Sequence, residues 1–551
     1  MNRWQWAVLI AAIGPQELRG QTTRISVSSG GEQGTGGSFY PAITPDGRFI
    51  AFKSRAPNLV EGDHNNREDV FLRDRFLGTT ERVSLSHDGG EPRLDCLRPD
   101  LSPDARFVVF DSYSDNLVPD DRNARSDVFL VDRLLSTIER VSVATDGAEA
   151  NGDSIWPTIS ADGRLVSFES VANNLVPEDT NKRPDIFVHD RSTGVTERVS
   201  VAADGSQRKG YSRRATLSDD GCRVAFESDA AFVDNDYNGT FDVFVRDRCA
   251  GKTFLASMSR GGVAGNGWSL GASISADGSR VVFVSVATNL VRSDMNATKD
   301  VFVRVLDEAR TVRANLDCGG LEIKGDPGSA SLSADGRIVA FTDEYGSYVP
   351  GDPKADSDLF LRDLERKVTL RASVDSDGND ANGPCSTAVL AAGGRTVAFV
   401  SDASNLVAGD TNASSDIFAV DLPTTSASFE QYGAGHPGTD GVPALSAPRP
   451  PVLGSCVELE LGNSYGQWTI GLLLAGFQSA SIPTAWGGEL LVLPDQAMLV
   501  PLPGEGEELL SMLPLDVDFA GLSWFLQLLL IDPGASHGVA FSAGLELRLG
   551  G

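Results

Sequence analysis

The chain is poor in the residues that most often carry chemistry. Its 551 residues include only 5 histidines, 5 methionines and 6 cysteines. No two cysteines stand in a C-x-x-C pair, which argues against structural zinc. His64, His87 and His189 are scattered along the chain, so solvated surface positions are expected for them rather than a metal cluster. Basic residues are also scarce, 47 against 76 acidic ones, for a net charge of -29. Phosphate recognition needs clustered Lys and Arg, so this balance excludes a nucleic-acid partner and an anionic membrane surface. Long apolar runs are missing as well: the greasiest late stretch, residues 519–531, is interrupted by Ser523 and Gln527, and no membrane span is expected. What remains is rich in glycine, with 58, and 41% hydrophobic. That composition suits a loop-rich all-β protein.

Such a length divides into two or three domains. The N-terminus has the order of an exported precursor: Asn2-Arg3, an apolar core over residues 6–13, and the small residue Gly20 before Gln21. Residues 1–20 are therefore read as a signal peptide, and the chain as exported to the periplasm, cell surface or exterior. The cysteines are compatible with an oxidising compartment.

Beyond residue 21 the chain is dominated by fixed-period self-similarity. A turn position falls at Gly47, Ala105, Gly163, Gly221, Gly278, Gly336 and Gly394, and a phenylalanine keeps step at Phe52, Phe110, Phe168, Phe226, Phe283, Phe341 and Phe399. The spacing is 58 residues, once 57. Each copy reads as four short strands: a Pro-x-Ile-Ser piece (residues 41–44, 157–160), an alternating strand after an Asp-Gly turn (164–169), an Asp-Val/Ile-Phe-x-x-Asp strand (69–74, 127–132, 185–190, 416–421) and a Glu-Arg-Val-Ser strand (81–84, 139–142, 197–200). Four strands per unit without helical periodicity predict propeller blades. The seventh copy lacks its fourth strand, because the chain turns into Leu422-Pro423. Thr23-Arg24-Ile25-Ser26, standing before the first copy, has that signature. A seven-bladed ring closed by the N-terminal strand is expected, which removes free sheet edges.

The segment Ile159-Ser160-Ala161-Asp162-Gly163-Arg164-Leu165-Val166-Ser167-Phe168 resembles the TolB-like, WD-like repeat of bacterial β-propellers, and the resemblance covers residues 22–422. It departs from TolB in having no α/β domain before the propeller and a different domain after it. The Tol-Pal role of TolB is therefore not implied.

Candidate ligands lie in the link between second and third strands, which repeats Asp-x-Asn-x-x-x-Asp: Asp63, Asn65, Asp69; Asp121, Asn123, Asp127; Asp179, Asn181, Asp185; Asp236, Asn238, Asp242; Asp294, Asn296, Asp300; and Asp410, Asn412, Asp416. Blade 6 departs, with Asp352-Pro353-Lys354 before Asp358. Alternating oxygen ligands on a tight loop suit calcium, whereas side-chain turn caps explain the same residues without a metal. No loop has the glycine and bidentate glutamate of a full calcium loop. The loops share a face with the fourth-to-first connections, and that acidic face is the expected ligand surface.

Cys222 and Cys249 fall at the adjoining ends of two antiparallel strands of blade 4, within disulfide reach. Cys96, Cys318, Cys385 and Cys456 have no assigned pairing. Asp-Arg dipeptides ending the third strands, such as Asp132-Arg133 and Asp190-Arg191, point to structural ion pairs because they recur in blade after blade.

Residues 423–453 shift to Pro, Ser, Thr, Ala and Gly and read as a linker. Residues 454–551 hold short apolar strands divided by Gly and Pro, predicting a small β-sandwich. Tyr432-Gly433-Ala434-Gly435, Trp486-Gly487-Gly488 and the ending from Ala540 to Leu545 are similar to a C-terminal module of exported planctomycete-type proteins, which implies display, sorting or adhesion. Gly462-Asn463-Ser464-Tyr465-Gly466 matches G-x-S-x-G, with Asp532 and His537 following in hydrolase order, but the strand and helix alternation of that fold is missing.

The expected protein is an exported, monomeric, non-enzymatic propeller over residues 21–422 that serves binding or scaffolding at the cell envelope or exterior, with a protein or polysaccharide as its ligand. The alternative is a polysaccharide lyase or glycosidase using paired carboxylates on the acidic face, with calcium as its one candidate cofactor.

Overall fold

A computed structural model describes residues 22–292, 294–317, 319–349, 356–376, 378–422, 428–448, 451, 456–486, 488–512 and 522–549. The expected signal peptide, Cys318 and Asp352-Pro353-Lys354 lie outside the described residues.

Seven antiparallel four-stranded sheets follow one another along the chain. Blade 1 consists of Ser38–Ile43, Phe49–Ser54, Asp69–Asp74 and Thr79–Arg82. Blades 2 to 6 repeat this order. Blade 7 consists of Cys385–Leu390, Thr396–Ser401, Asp416–Asp421 and, as its outer strand, Thr22–Arg24. Thr23 pairs with Ala419, so the two ends of the repeat region lock one blade. The core is made between blades: Ile25, Ile50, Phe52, Ala398 and Ile417 form one buried cluster joining blade 7 to blade 1. The periodic phenylalanines lie directly opposite a second phenylalanine on the third strand, as in Phe52 opposite Phe71, with ring centroids 5.9 Å apart. Burying both rings in every blade explains why this pattern is the strongest in the sequence.

The Ser-Ala-Asp-Gly segment is a self-contained hairpin. Ser160 Oγ donates to Asp162 at 2.6 Å and accepts from Leu165 N at 2.9 Å, while Asp162 accepts from Arg164 N. Gly163 has φ 71°, which glycine adopts without strain. Arg164 then reaches Asp190. Arginines after the third strands bridge blades: Arg133 to Glu81, Arg191 to Glu139 and Arg248 to Glu197.

First strands begin earlier than the sequence pattern suggests, at Ser38 rather than 41 and at Ser154 rather than 157. A β-bulge breaks their alternation, between Phe39 and Ala42 in blade 1. His189, expected at the surface, is instead buried, with Nδ1 2.8 Å from Thr196 Oγ1. The outward register of its strand is covered by the fourth strand and the preceding connection.

Cys222 and Cys249 are joined by a disulfide, with Cα atoms 5.3 Å apart. Cys96 and Cys385 are buried free thiols. Each takes the place of a serine: Ser38 bonds Ser54, and Cys96 and Cys385 meet Ser112 and Ser401 in the same way.

C-terminal to the propeller, a six-stranded sheet containing Thr469–Gly476, Gln496–Leu502 and Ser523–Ile531 faces a three-stranded sheet of Leu445–Ser446, Cys456–Leu461 and Glu507–Met512. Leu445, Val457, Leu459, Leu473, Leu502 and Leu528 share one core between them, which makes this a β-sandwich. Ser428–Tyr432, inside the Pro/Ser/Thr-rich stretch, is a strand paired with Gly544–Arg548.

Candidate functional site

The repeated acids are brought together blade by blade. In blade 1, Asn65 Nδ2 donates to Asp69 at 2.9 Å, Ser84 Oγ donates to Asp69 at 2.7 Å, and Asn65 Oδ1 accepts from Arg67 N. Between the acids lies Arg82 of the fourth strand, 3.3 Å from Asp63, 3.5 Å from Asp69 and 2.9 Å from Glu91. Arg140 does the same for Asp121, Asp127 and Glu149, Arg313 for Asp294, Asp300 and Glu322, and Arg24 for Asp410 and Asp416. In blade 3, Arg198 approaches Asp179 and Asp185, and Gln207 donates to both. Asn123, Asn181, Asn296 and Asn412 each donate to the last acid of their loop. Burial pushes the carboxyls of Asp69, Asp127 and Asp300 up to about 6. Oxygens of Asp121, Asp127 and Glu149 lie within 4.8 Å of one another, as do those of Asp294, Asp300 and Glu322. Among the described residues these are the two groups of three acids close enough to hold a cation, and in both an arginine guanidinium already reaches all three acids.

Blade 4 differs. Leu255 stands in the arginine position and Ala264 in that of the third acid. Asp242 keeps its bonds from Asn238 and Ser257, each 2.6 Å. Without a cation, burial raises Asp242 to about 7, and Asp236 is raised as well.

A second constellation lies on the axial channel, a cavity of about 410 Å3 lined by the first strands of all seven blades. The bulge places Tyr40, Arg98, Trp156, Arg214, Gly271 and Thr387 on the lining, while Ser329, at the same position of blade 6, bonds Thr342. Blades 1 to 4 thus contribute aromatic and cationic groups, and blades 5 to 7 only small ones. Tyr40, Arg98, Trp156 and Arg214 have φ of 53°, 47°, 55° and 49°. Left-handed backbone costs a non-glycine residue roughly 1–2 kcal/mol; it recurs at Gly271, with φ 68°, and Thr387, with φ 39°, and so belongs to the bulge itself.

The side chains form a cluster. Trp156 meets Tyr40 edge to face with centroids 5.6 Å apart. Arg98 lies 4.7 Å and Arg214 5.1 Å from the Trp156 ring, reaching it from the blades on either side. Lys53 is 5.3 Å from the Tyr40 ring and bonds Glu68. Arg98 pairs with buried Asp111 at 2.7 Å, and burial holds that carboxyl near 7. Arg213 pairs with buried Glu227 at 3.0 Å, which also accepts from Gly271 N. Glu169, raised by burial, accepts from the Arg214 backbone N–H. Deeper in the channel Asp100 accepts from Ile159 N, and burial lifts it to about 6. The bulges lie near the ends of the first strands that adjoin the acidic loops, since Phe39 pairs with Lys53 just before that loop begins. An aromatic ring flanked by guanidinium groups, with hydroxyls opposite, can hold a small polar ligand.

Sequence reasoning did not single out Tyr40, Arg98, Trp156 or Arg214. The available signal was one column of the repeat that changes character between blades, just before a position that is proline in blades 1 to 3 and alanine in blades 4 to 7. In the sandwich, Ser464 Oγ lies 3.3 Å from Asp532, and His537 instead meets Ser536, so no histidine stands between serine and aspartate.

No protein-family model and no curated protein matches this chain. Among solved structures it is similar to TolB from Acinetobacter baumannii, at 16% identity and a TM-score of 0.34, over 61% of this chain and 64% of that one. The chain thus spans less than two thirds of that TolB. It is also similar to the putative TolB from Agrobacterium tumefaciens, at 16% identity and a TM-score of 0.32, over 50% and 79% of the two chains. A third similarity is to the complex of KlAtg21 with the coiled coil of AgAtg16, at 10% identity and a TM-score of 0.38, over 67% and 94%.

Proposed function

We propose that this protein is an exported, non-enzymatic binding propeller whose ligand enters from the acidic-loop face and is held at the channel by Tyr40, Arg98, Trp156 and Arg214. The observation that carries the reading is the break in sevenfold repetition. Structural requirements recur from blade to blade, as the arginine-acid nodes do outside blade 4, whereas a ligand needs groups of different kinds converging on one place. Export is supported by the Cys222–Cys249 disulfide, since such bonds persist in oxidising compartments. The acidic loops surround the opening and set the charge of its approach, while their arginine nodes hold the blades in shape.

The test is a thermal-shift screen of saccharides and peptides against the parent chain, Trp156→Gly and Asp63→Asn. Saturating ligand at about 100 times Kd stabilises by roughly 2.7 kcal/mol. The stabilisation should vanish in Trp156→Gly and survive in Asp63→Asn, and no reducing ends should appear from polysaccharides. Stabilisation that survives Trp156→Gly and is lost in Asp63→Asn would move the site to the loops.

A further inference from the structure

Resting on that reading of the channel, we infer that its ligand is an acidic saccharide, a sugar unit carrying a carboxylate, with the carboxylate on Arg214. Of the cations at the ring, three are already engaged: Lys53 with Glu68, Arg98 with Asp111 and Arg213 with Glu227. Arg214 is exposed, lies over Trp156, and among the described residues has no carboxylate within 4.0 Å of its guanidinium. Glu169, its nearest acidic neighbour in the ring, is turned to the Arg214 backbone instead. An open guanidinium at the channel of a chain with net charge -29 is a local exception to the charge of the whole molecule. Its planar fork matches a carboxylate in two parallel hydrogen bonds.

The rest of the cavity selects the body of the ligand. Thr216 and Ser331 belong to the channel lining, and their buried hydroxyls have no hydrogen-bond partner among the described residues. Buried hydroxyls left unpaired are costly, and a polyol supplies partners that can both donate and accept. Tyr40 and Trp156 give the apolar edge against which a sugar ring packs. A cavity of about 410 Å3 has the size of a small-ligand site, too small for a folded partner.

The experiment is calorimetric titration of the full chain with a glucuronate-containing disaccharide and with the same disaccharide reduced at the carboxyl to the alcohol. The acid should bind at least tenfold more tightly, and Arg214→Gln, which removes the charge and shortens the side chain to a polar amide, should reduce that ratio to near one. Thr216→Val should weaken both sugars alike. Equal binding of the two sugars, or a preference that survives Arg214→Gln, overturns the inference. An acidic peptide or inorganic phosphate that binds in their place, with loss in Trp156→Gly, overturns it too but leaves the channel reading standing. Binding of any of these that is indifferent to both Trp156→Gly and Arg214→Gln overturns both.

Discussion

Leu255 lies opposite Phe244 in blade 4 at the register position that Arg198 takes opposite Phe187 in blade 3. The exchange leaves Asp236 and Asp242 buried without the guanidinium that balances their counterparts.

Blade 4 should therefore make stability fall with rising pH. Asp242 is raised from 3.8 to about 7 by burial, so the folded chain holds this proton more tightly than the unfolded chain. Its effect is absent below about pH 4 and grows as a destabilisation as pH rises through 7. Asp242→Asn should flatten urea-unfolding free energy over that range, whereas Asp88→Asn, at a carboxyl lowered by Ser86, should not.

The arginine nodes predict a large mutational effect. Arg140→Met leaves buried Asp127, with half-buried Asp121 and Glu149 beside it, around an absent charge, which should cost about 3–5 kcal/mol in urea unfolding. The loss should shrink near pH 5, where Asp127, raised to about 6, takes up a proton. Arg93, paired with Asp115 on the surface at 69% exposure, should be replaceable by alanine within about 0.5 kcal/mol.

Calcium offers a complementary check on the loops. With Asp236→Asn in place, every remaining described loop pair has an arginine or a bonded side chain between its acids. Millimolar calcium should then leave the melting temperature unchanged. A rise of several degrees would show that a metal displaces the guanidinium groups.

The disulfide closes a separation of 27 residues, so the Cys222→Ser, Cys249→Ser pair should lose about 3 kcal/mol. Cys96 and Cys385 are buried, and burial pushes the Cys385 thiol up to about 12. Neither should react with an alkylating reagent until the chain unfolds.

The propeller was legible because its core is periodic: Phe52 and its counterparts, the Asp162-Gly163 hairpin and the Cys222 and Cys249 ends all follow from strand pairing that repeats. The acids of the loops were legible as a pattern, but not the cation at their centre. Arg82 and Arg140 sit in the Glu-Arg-Val-Ser strands, distant in sequence, and only the antiparallel fold brings them across. The channel residues were hidden for a different reason. A bulge adds a residue that strand alternation does not count, so Tyr40 and Trp156 read as part of an ordinary strand. In the sandwich, Gln478–Pro483 is exposed on nearly every residue and the solvent side of Gln496–Leu502 is Ala497, Leu499 and Pro501, so neither strand shows the apolar-polar alternation that period-two patterning reads.

The claim that the channel ring exists for a ligand is tested most directly by Arg214→Gly. Relief of left-handed strain is worth roughly 1–2 kcal/mol, and the cation–π interaction with Trp156 that the change removes is worth about 0.5–1 kcal/mol at an exposed site. Thermal melting of this variant with and without the glucuronate disaccharide should show a melting point no lower than the parent's and no response to the sugar. A variant that melts lower yet still responds as the parent does would contradict a binding role for the ring.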